Sequence, residues 1–367
     1  MPGDTDSLTP SQASRNAANP RKAVREGRRD ESLDIAKGFG IVLVVLGHAF
    51  DGLIASGFFP PSLTWPTLTV FAIYLFHMPL FFVVSGHLAS GKHRPVGATL
   101  AKLLPTIVYP YFLWSILEGL ALVYLSKYTN NHQPLSALYK IFWIPIVPYW
   151  FLYALFLCHA GYLAIRKLPH RTQLTIAAVI FLAPQFFLAT LANAHLLIVL
   201  ETVRGFLYFI LGVVSVAQVK QFGRWMAIAA TVLFILFAII FYQSQLSGAI
   251  AAPAALPAGI AGIVATLAWS RMIAAHGGRL VSTLAFLGRY SMSIYVMHIF
   301  FTAGTRIALK HLAIVSPPAG GTPSLAATIV QLAAATVAGI ALPLAINWMV
   351  SKFDLDRWFG LQHMEAA

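Results

Sequence analysis

Residues 33–53, LDIAKGFGIVLVVLGHAFDGL, are an apolar stretch with a lysine near its start and a histidine near its end. About twenty apolar residues suffice for a helix to cross a membrane. Lys37 and His48 are eleven residues apart, nearly three helical turns, so both project from one face about 16 Å apart. Ionisable residues inside an apolar span are costly and typically functional. The alternative is that Lys37 extends to the inner interface while His48 caps the outer end.

Composition excludes a soluble globular protein of ordinary type. Hydrophobic residues make up 58% of the 367 residues and charged residues only 10%, with a mean hydropathy of +0.75. Such a chain is a polytopic membrane protein. Its single cysteine, Cys158, excludes an intramolecular disulfide. A net charge of +13 is compatible with nucleic-acid binding. The cations, however, lie in the loops between apolar segments, as is typical of membrane proteins. We therefore expect membrane lipid as a partner and no nucleic acid.

The apolar segments predict an all-α bundle of about ten transmembrane helices. A further segment at 280–288 has the pattern of a short helix on the membrane surface that leads into the ninth span. The predicted spans are 33–53, 66–89, 103–125, 147–165, 173–191, 196–217, 225–243, 249–273, 289–309 and 324–350.

The distribution of cations between the loops predicts the orientation of the bundle. Residues 1–32 form a basic tail without hydrophobic periodicity, which we expect to be disordered and cytoplasmic. The tail lacks the features of a signal peptide, so the first span is expected to be retained. Alternating spans place few cations on the far side, and both termini are therefore predicted to be cytoplasmic, with 33–350 as the membrane domain and 351–367 as a short tail. The far-side cations are Lys127, Lys140, Arg204, Arg306 and Lys310.

Depth along the predicted helices places several ionisable residues, which we call the outer group, in the outer half of the bundle. His77 and His298 are predicted to lie closer to the membrane centre than the outer group. Asp51 lies one turn after His48, where its carboxylate can orient the imidazole, or it is an ordinary interfacial acid. His77 is either functional or a packing residue. The outer group consists of His48, Asp51, Glu118, Glu201 and Arg204.

Four cations gather at the opposite end of the bundle. Lys37, Lys92, Arg94 and Lys102 bracket the loop between the second and third spans. This arrangement suits phosphate groups or a nucleotide, although loop cations also set topology and contact anionic lipid. The sequence contains no glycine-rich phosphate loop and no Cys or His cluster at zinc spacing, so no metal is predicted.

Four sequence blocks resemble the acyltransferase-3 family of integral membrane O-acyltransferases, especially its fucose 4-O-acetylase-like and exopolysaccharide acetylase branch. The first block carries the basic residue, ten intervening positions and histidine that mark this family, here Lys37 and His48. The resemblance extends across almost the whole chain, from Asp34 to Trp348. His87 stands where the family usually has an aromatic residue. The blocks are LDIAKGFGIVLVVLGHAF, FHMPLFFVVSGHLASGK, YWFLYALFLC and LGRYSMSIYVMH.

The resemblance implies a reaction and a location in the bacterial inner membrane. Acetyl-CoA or another acyl-CoA would be the donor, bound by Lys37, Lys92, Arg94 and Lys102. A hydroxyl of a cell-surface glycan or lipid-linked oligosaccharide would be the acceptor. Some relatives carry an added hydrolase-like domain, and we expect this membrane domain to act alone. Taken together with depth along the helices, this reaction gives candidate catalytic residues and candidate acceptor-binding residues. The catalytic candidates are His48 as base, Asp51, Glu118 and Arg204, and the acceptor-binding candidates are His77, His298 and Glu201.

Two other classes of function remain open from the sequence. A transporter or flippase also needs charges inside the membrane, but it would be expected to show broken helices at repeated positions. A sensor or scaffold would tolerate the loss of His48. Neither of these classes requires an acyl-CoA.

Overall fold

The computed structural model describes residues 30–60, 62–90, 94–124, 135–188, 194–215, 221–246, 250–312 and 323–364. The chain divides into two compact units, residues 1–31 and residues 32–367. Only Asp30 and Glu31 of the first unit are described. The predicted basic tail up to residue 29 and the cation Lys92 lie outside the described residues.

The described residues are helical, and each apolar segment predicted from the sequence contains a helix. A π-helical turn, Leu104–Val108, joins α3 to α4 where Pro105 cannot donate a backbone hydrogen bond. Short 3₁₀ turns cover Leu135–Phe142 and Asp356–Phe359. The α-helices are α1 Glu31–Ala55, α2 Trp65–Ser90, α3 Val96–Leu103, α4 Tyr109–Tyr124, α5 Trp150–Ile165, α6 His170–Leu188, α7 Ala194–Val214, α8 Arg224–Ser244, α9 Ala251–His276, α10 Arg279–Arg289, α11 Ser291–His311 and α12 Leu325–Lys352.

Within the described ranges, seven helical stretches are long and apolar enough to cross a membrane. They are α1, α2, the continuous stretch Val96–Tyr124, α8, α9, α11 and α12. Helix α5 is apolar but has only 16 residues. The predicted all-helical membrane fold is thus confirmed, and the protein is an integral membrane protein. The number of ten spans and the cytoplasmic location of both termini remain predictions.

Glycines on α1 allow neighbouring helices to approach it closely. Gly38 faces the backbone of α10 at Leu284 and Gly288, so no side chain fits between the two helices. Gly47 faces Tyr74 of α2, and Gly52 faces the guanidinium of Arg306 of α11. Small residues at such crossings gain dispersion contacts between backbones, which is the main source of helix association in lipid. Helix α1 is therefore enclosed by α2, α10 and α11.

A second close crossing joins α2 to α7. Gly86 of α2 lies against the backbone of Phe209, and Gly212 of α7 lies against the backbone of Val83. Helix α2 also contacts α5, α8 and α9. Its Pro79 leaves the carbonyl of Leu75 without a helical donor, and this carbonyl faces Gly259 of α9. Helix α2 is thus the element on which the second half of the chain packs.

The segment before α5 is irregular and attached to α11. The prediction began a span at residue 147, but the Val147–Pro148 peptide bond is cis and the helix starts at Trp150. The hydroxyl of Tyr149 donates to the carbonyl oxygen of Val296 at 2.8 Å. The hydroxyl of Tyr295 donates to the carbonyl oxygen of Pro148 at 2.5 Å. These two hydrogen bonds hold residues 147–149 against α11 as an internal wall.

The residues that follow α12 fold back on the bundle. The indole nitrogen of Trp114 donates to the carbonyl oxygen of Phe359 at 3.0 Å, and Asn347 donates to that of Gln362 at 3.1 Å. Leu361 and Met364 are buried. The part of the predicted C-terminal tail that the structure describes, 353–364, is therefore packed rather than extended.

We expect Gly212→Ala to destabilise the protein by about 1–3 kcal/mol, because the new methyl group would meet the backbone of Val83, which cannot move aside. Gly304→Ala is the matched control, since Gly304 has open space around its Cβ position. Thermal unfolding of purified protein in detergent, followed by tryptophan emission, measures both. Equal midpoints for the two variants would contradict the close α2–α7 crossing.

Candidate active site

Two internal cavities meet at His48. The larger, about 610 Å³, extends towards α7 and α9. The smaller, about 420 Å³, extends towards α4 and α11. His48 and Asp51 line both cavities, as do Ile144, Pro145 and Val147 of the irregular wall. Neither ring nitrogen of His48 has a hydrogen-bond partner in the described part of the chain, so the imidazole is open to a ligand from either cavity.

The three predicted histidines are brought together, but their surroundings differ. The ring of His298 lies 5.1 Å from that of His48, centroid to centroid. The Nδ1 atom of His298 is 2.7 Å from the carbonyl oxygen of Tyr295, and that of His77 is 2.8 Å from the carbonyl oxygen of Ile73. A hydrogen bond to a carbonyl requires Nδ1–H, which fixes the tautomer and leaves Nε2 as an acceptor. His77 and His298 are thus held by their own helices, whereas His48 is not.

Asp51 is held by a residue that sequence reasoning missed. The hydroxyl of Tyr74 on α2 donates to Oδ2 of Asp51. The ring of Tyr74 also lies 6.0 Å from His48 and 5.0 Å from His77, centroid to centroid. Among the described residues Asp51 bonds to Tyr74 and not to His48, so the predicted orienting bond from Asp51 to the imidazole is not formed. Tyr74 connects the acid to both rings instead.

The predicted Glu201–Arg204 pair is present on α7. Nη1 of Arg204 lies 2.8 Å from Oε1 of Glu201, and both residues line the larger cavity. Tyr208, one turn further along α7, lines it too. The larger cavity therefore contains an ion pair with donor and acceptor groups beside aromatic rings, a combination that suits a polar ligand with hydroxyl groups.

Glu118 of α4 reaches the smaller cavity. Its side chain is buried, and its Oε2 atom lacks a hydrogen-bond partner within the described ranges. Tyr149 of the irregular wall lies beside it. An unpaired buried oxygen is costly unless a ligand or water supplies a donor. Glu118 thus offers an acceptor to whatever enters this cavity.

The cations predicted for the donor end lie away from these cavities. Nζ of Lys37 is 2.7 Å from Oδ1 of Asp34, which is buried, and the Lys37 side chain keeps 16% of its surface exposed. Arg94, just before α3, and Lys102, in the last turn of α3, are exposed. The guanidinium of Arg166 donates to the carbonyl oxygen of Arg94 at 2.7 Å. Lys37 is not among the residues lining the two cavities, although it shares with His48 the continuous helix α1.

A third groove, about 1230 Å³, lies between the π turn and the packed C-terminal residues. Asp354, Asp356 and His363 line it and place one ligand atom each within 4.8 Å of one another. Asp356 Oδ1 already lies 3.3 Å from His363 Nδ1. Two carboxylates disfavour CoA phosphates here, so we assign these residues to holding the C-terminal segment. The sequence pattern did not indicate this cluster, because its members are separated by turns.

Arg306 is a second residue whose role sequence reasoning missed. It is predicted only as a far-side cation, and in the structure it lies two turns after His298 within α11 and lines the smaller cavity with His48. The sequence does indicate a functional role for this residue, because position 306 falls inside the predicted span 289–309 and a charge inside a span is typically functional. Tyr74 likewise lies three residues before His77 on the same helix face.

Comparison of the sequence with known protein families identifies the family of this chain. A family model described as an acyltransferase domain matches residues 30–348. The chain belongs to this family. The resemblance inferred from the four sequence blocks is confirmed, and the matched region of this acyltransferase domain contains His48 and every residue that lines the two cavities.

Two curated relatives share part of the acyltransferase domain. Nodulation protein NolL of Mesorhizobium japonicum is 32% identical over 155 residues, which is 40% of this chain and 38% of the relative. Nodulation protein NolL of Sinorhizobium fredii is 34% identical over 132 residues, 34% of each chain. The match thus spans little more than a third of the length of these relatives. No solved structure matches the chain significantly.

We expect diethyl pyrocarbonate to modify His48 before His298, because His48 faces two cavities while His298 is fully buried. Peptide mapping by mass spectrometry after timed exposure of the detergent-solubilised protein measures both sites. His276, exposed at the end of α9, is the internal control for reagent activity. Modification of His298 at the same rate as His48 would contradict the described access.

Proposed function

We propose that this protein is an O-acyltransferase that moves an acetyl group, or another acyl group, from acyl-CoA to a hydroxyl of a glycan. The single observation that carries the proposal is the position of His48, whose unpartnered imidazole stands where two cavities meet. Membership of the acyltransferase family favours group transfer over transport or scaffolding. The bacterial inner membrane is the proposed location.

The proposed chemical step uses His48 as general base. A ring nitrogen of His48 removes the proton from the acceptor hydroxyl while the oxygen attacks the thioester carbonyl carbon. The tetrahedral intermediate then collapses with cleavage of the C–S bond, and the thiolate of CoA takes the proton back from the imidazolium. His298 and Tyr74 pack against His48 and restrict its orientation. A base held in position by packing loses little entropy in the transition state.

The larger cavity is the proposed site for the acceptor glycan. Glu201 and Arg204 offer an acceptor and donors for sugar hydroxyls, and Tyr208 and Trp150 line the same space. Aromatic rings can stack on the apolar faces of a sugar while the ion pair fixes its orientation. From the sequence, Arg204 is predicted to have a catalytic role at the oxyanion, whereas its contact with Glu201 favours a substrate-orienting role instead.

The donor is proposed to enter from the end of the bundle that carries Lys37, Arg94 and Lys102. On α1, Lys37 lies about 16 Å from His48 along the helix axis, a span that the extended pantetheine arm of CoA can bridge. The exposed cations Arg94 and Lys102, which lie on either side of α3, would hold the phosphates. The glycan, assembled on the other side of the membrane, then meets the thioester only at His48.

We expect His48→Gln to lower acyl transfer by roughly 10²–10⁴-fold, the usual value of general-base assistance. Incorporation of label from radiolabelled acetyl-CoA into cell-surface polysaccharide measures the effect in cells that express each variant. His276→Gln is the matched control, because this histidine is exposed at the end of α9 and bonds only within its own helix. Normal labelling by a stably expressed His48→Gln protein would exclude the proposed base.

A test of Lys37 has to take account of its ion pair with Asp34. We expect Lys37→Gln alone to destabilise the protein by about 3–5 kcal/mol, because it removes the cation from an ion pair with a buried carboxylate. The double variant Asp34→Asn, Lys37→Gln removes both charges and should recover most of that stability. If Lys37 also serves the donor, both variants raise the KM for acetyl-CoA roughly tenfold, as loss of one charge-assisted hydrogen bond does.

Thermal unfolding and acetyl-CoA titration of the purified variants separate the two roles of Lys37. A double variant with normal stability and a normal KM would show that Lys37 only neutralises Asp34. Donor binding would then rest on the exposed cations Arg94 and Lys102.

A further inference from the structure

Arg306 is a cation inside the bundle that forms no ion pair with the described residues. Its side chain is half-buried in α11 and lines the smaller cavity together with His48 and Glu118. No carboxylate in the described part of the chain lies within 4.0 Å of its guanidinium. Other cations within spans are paired, since Lys37 contacts Asp34 and Arg204 contacts Glu201. Burying a guanidinium within a membrane-spanning bundle costs free energy unless a ligand supplies a negative charge.

The position of Arg306 is built into the packing. Its Nη1 atom occupies the space next to Gly52 of α1, where even a methyl group would collide with it. Gly52 lies one turn after His48 on the same helix. The missing side chain at residue 52 therefore makes room for the guanidinium on the His48 side of α11.

A second cation faces the same cavity from another element. Lys140, in the 3₁₀ turn Leu135–Phe142, lines it and has no ion-pair partner among the residues that the structure describes. Two acids also line the cavity, but Asp51 is occupied by Tyr74 and Glu118 lies beside Tyr149. Neither acid forms an ion pair with Arg306 or Lys140. The two basic and two acidic side chains thus line a cavity of about 420 Å³ without pairing with one another.

We propose that this cavity is a subsite for an oxyanion of the acceptor, a carboxylate or a phosphate group, bound by Arg306 and Lys140. The inference rests on the proposed function in taking the ligand as the acceptor. Arg306 lies near the C-terminal end of α1, whereas Lys37 and the proposed donor entry lie at its start, so the oxyanion is not one of the CoA phosphates. Glu118 would accept a hydrogen bond from a hydroxyl next to the oxyanion. The acceptor is therefore an acidic sugar or a sugar phosphate.

Binding of small probes to the full-length protein in detergent tests this subsite without any acyl donor. Glucuronate, inorganic phosphate and neutral glucose are each added at tens of millimolar, with ionic strength matched by potassium chloride. We expect glucuronate or phosphate to raise the unfolding midpoint by about 1–2 °C, the shift produced by occupancy of a weak site. Which of the two anions acts distinguishes a carboxylate from a phosphate source.

The variant is Arg306→Gln, and Lys310→Gln, exposed one turn later on α11, is its matched control. Arg306→Gln breaks no ion pair among the described residues, so this variant is expected to fold. Lys140→Gln, in a different element, is a second test of the subsite. The anion shift should persist in Lys310→Gln and disappear in Arg306→Gln. Equal shifts in Arg306→Gln and wild type, the same shift with glucose, or no shift with either anion would overturn the subsite. Because no acetyl-CoA is present, these results are independent of whether His48 supports transfer.

Discussion

Close packing against the glycines of α1 is the constraint on which the rest of the structure depends. Gly38 faces the backbone of α10, whereas Gly47 and Gly52 face the side chains of Tyr74 and Arg306, so three different elements approach the same helix where it carries no side chain. In lipid there is no hydrophobic drive to bring helices together, and dispersion between closely packed backbones takes its place. The consequence is chemical as well as mechanical, because the close approaches at Gly47 and Gly52 each place a polar side chain near His48. The glycines that hold the bundle together are also the reason why a tyrosine and an arginine can reach the cavities.

The ionisable groups considered for the donor and acceptor sites fall into two sets according to their partners. Asp34 with Lys37, Glu201 with Arg204 and Asp51 with Tyr74 are satisfied within the protein. The imidazole of His48, the Oε2 atom of Glu118 and the guanidinium of Arg306 lack such partners in the described part of the chain, and all three residues line the smaller cavity. Unsatisfied buried polar groups are costly and are retained at places where a ligand completes them. The pairing pattern thus separates groups that shape the bundle from groups that meet a substrate.

Sequence reasoning recovered the fold class because the signal for each helix is local. Twenty apolar residues and their flanking charges are sufficient to predict a span, and Lys37 and His48 share one face of α1 by periodicity alone. The grouping of His48 with His298 and His77 also followed from depth along the helices. What depth cannot supply is the neighbour across a helix interface. The bond from Tyr74 to Asp51, and the contact of Arg306 with Gly52, depend on how α2 and α11 are rotated against α1, which is set by packing over the whole bundle.

The same distinction explains why Arg204 and Arg306 have different roles in the proposals, although both are predicted as far-side cations. Arg204 already donates to Glu201, three residues earlier on the same helix, so its field at the cavity is that of a dipole. Arg306 forms no ion pair with the residues that the structure describes, so no direct contact neutralises its charge at the smaller cavity. A dipole orients neutral hydroxyl groups with little cost, whereas a full charge in a low-dielectric interior selects for an anion. Two cavities that share one histidine can in this way receive different parts of a single acidic glycan, with its reacting hydroxyl at the junction.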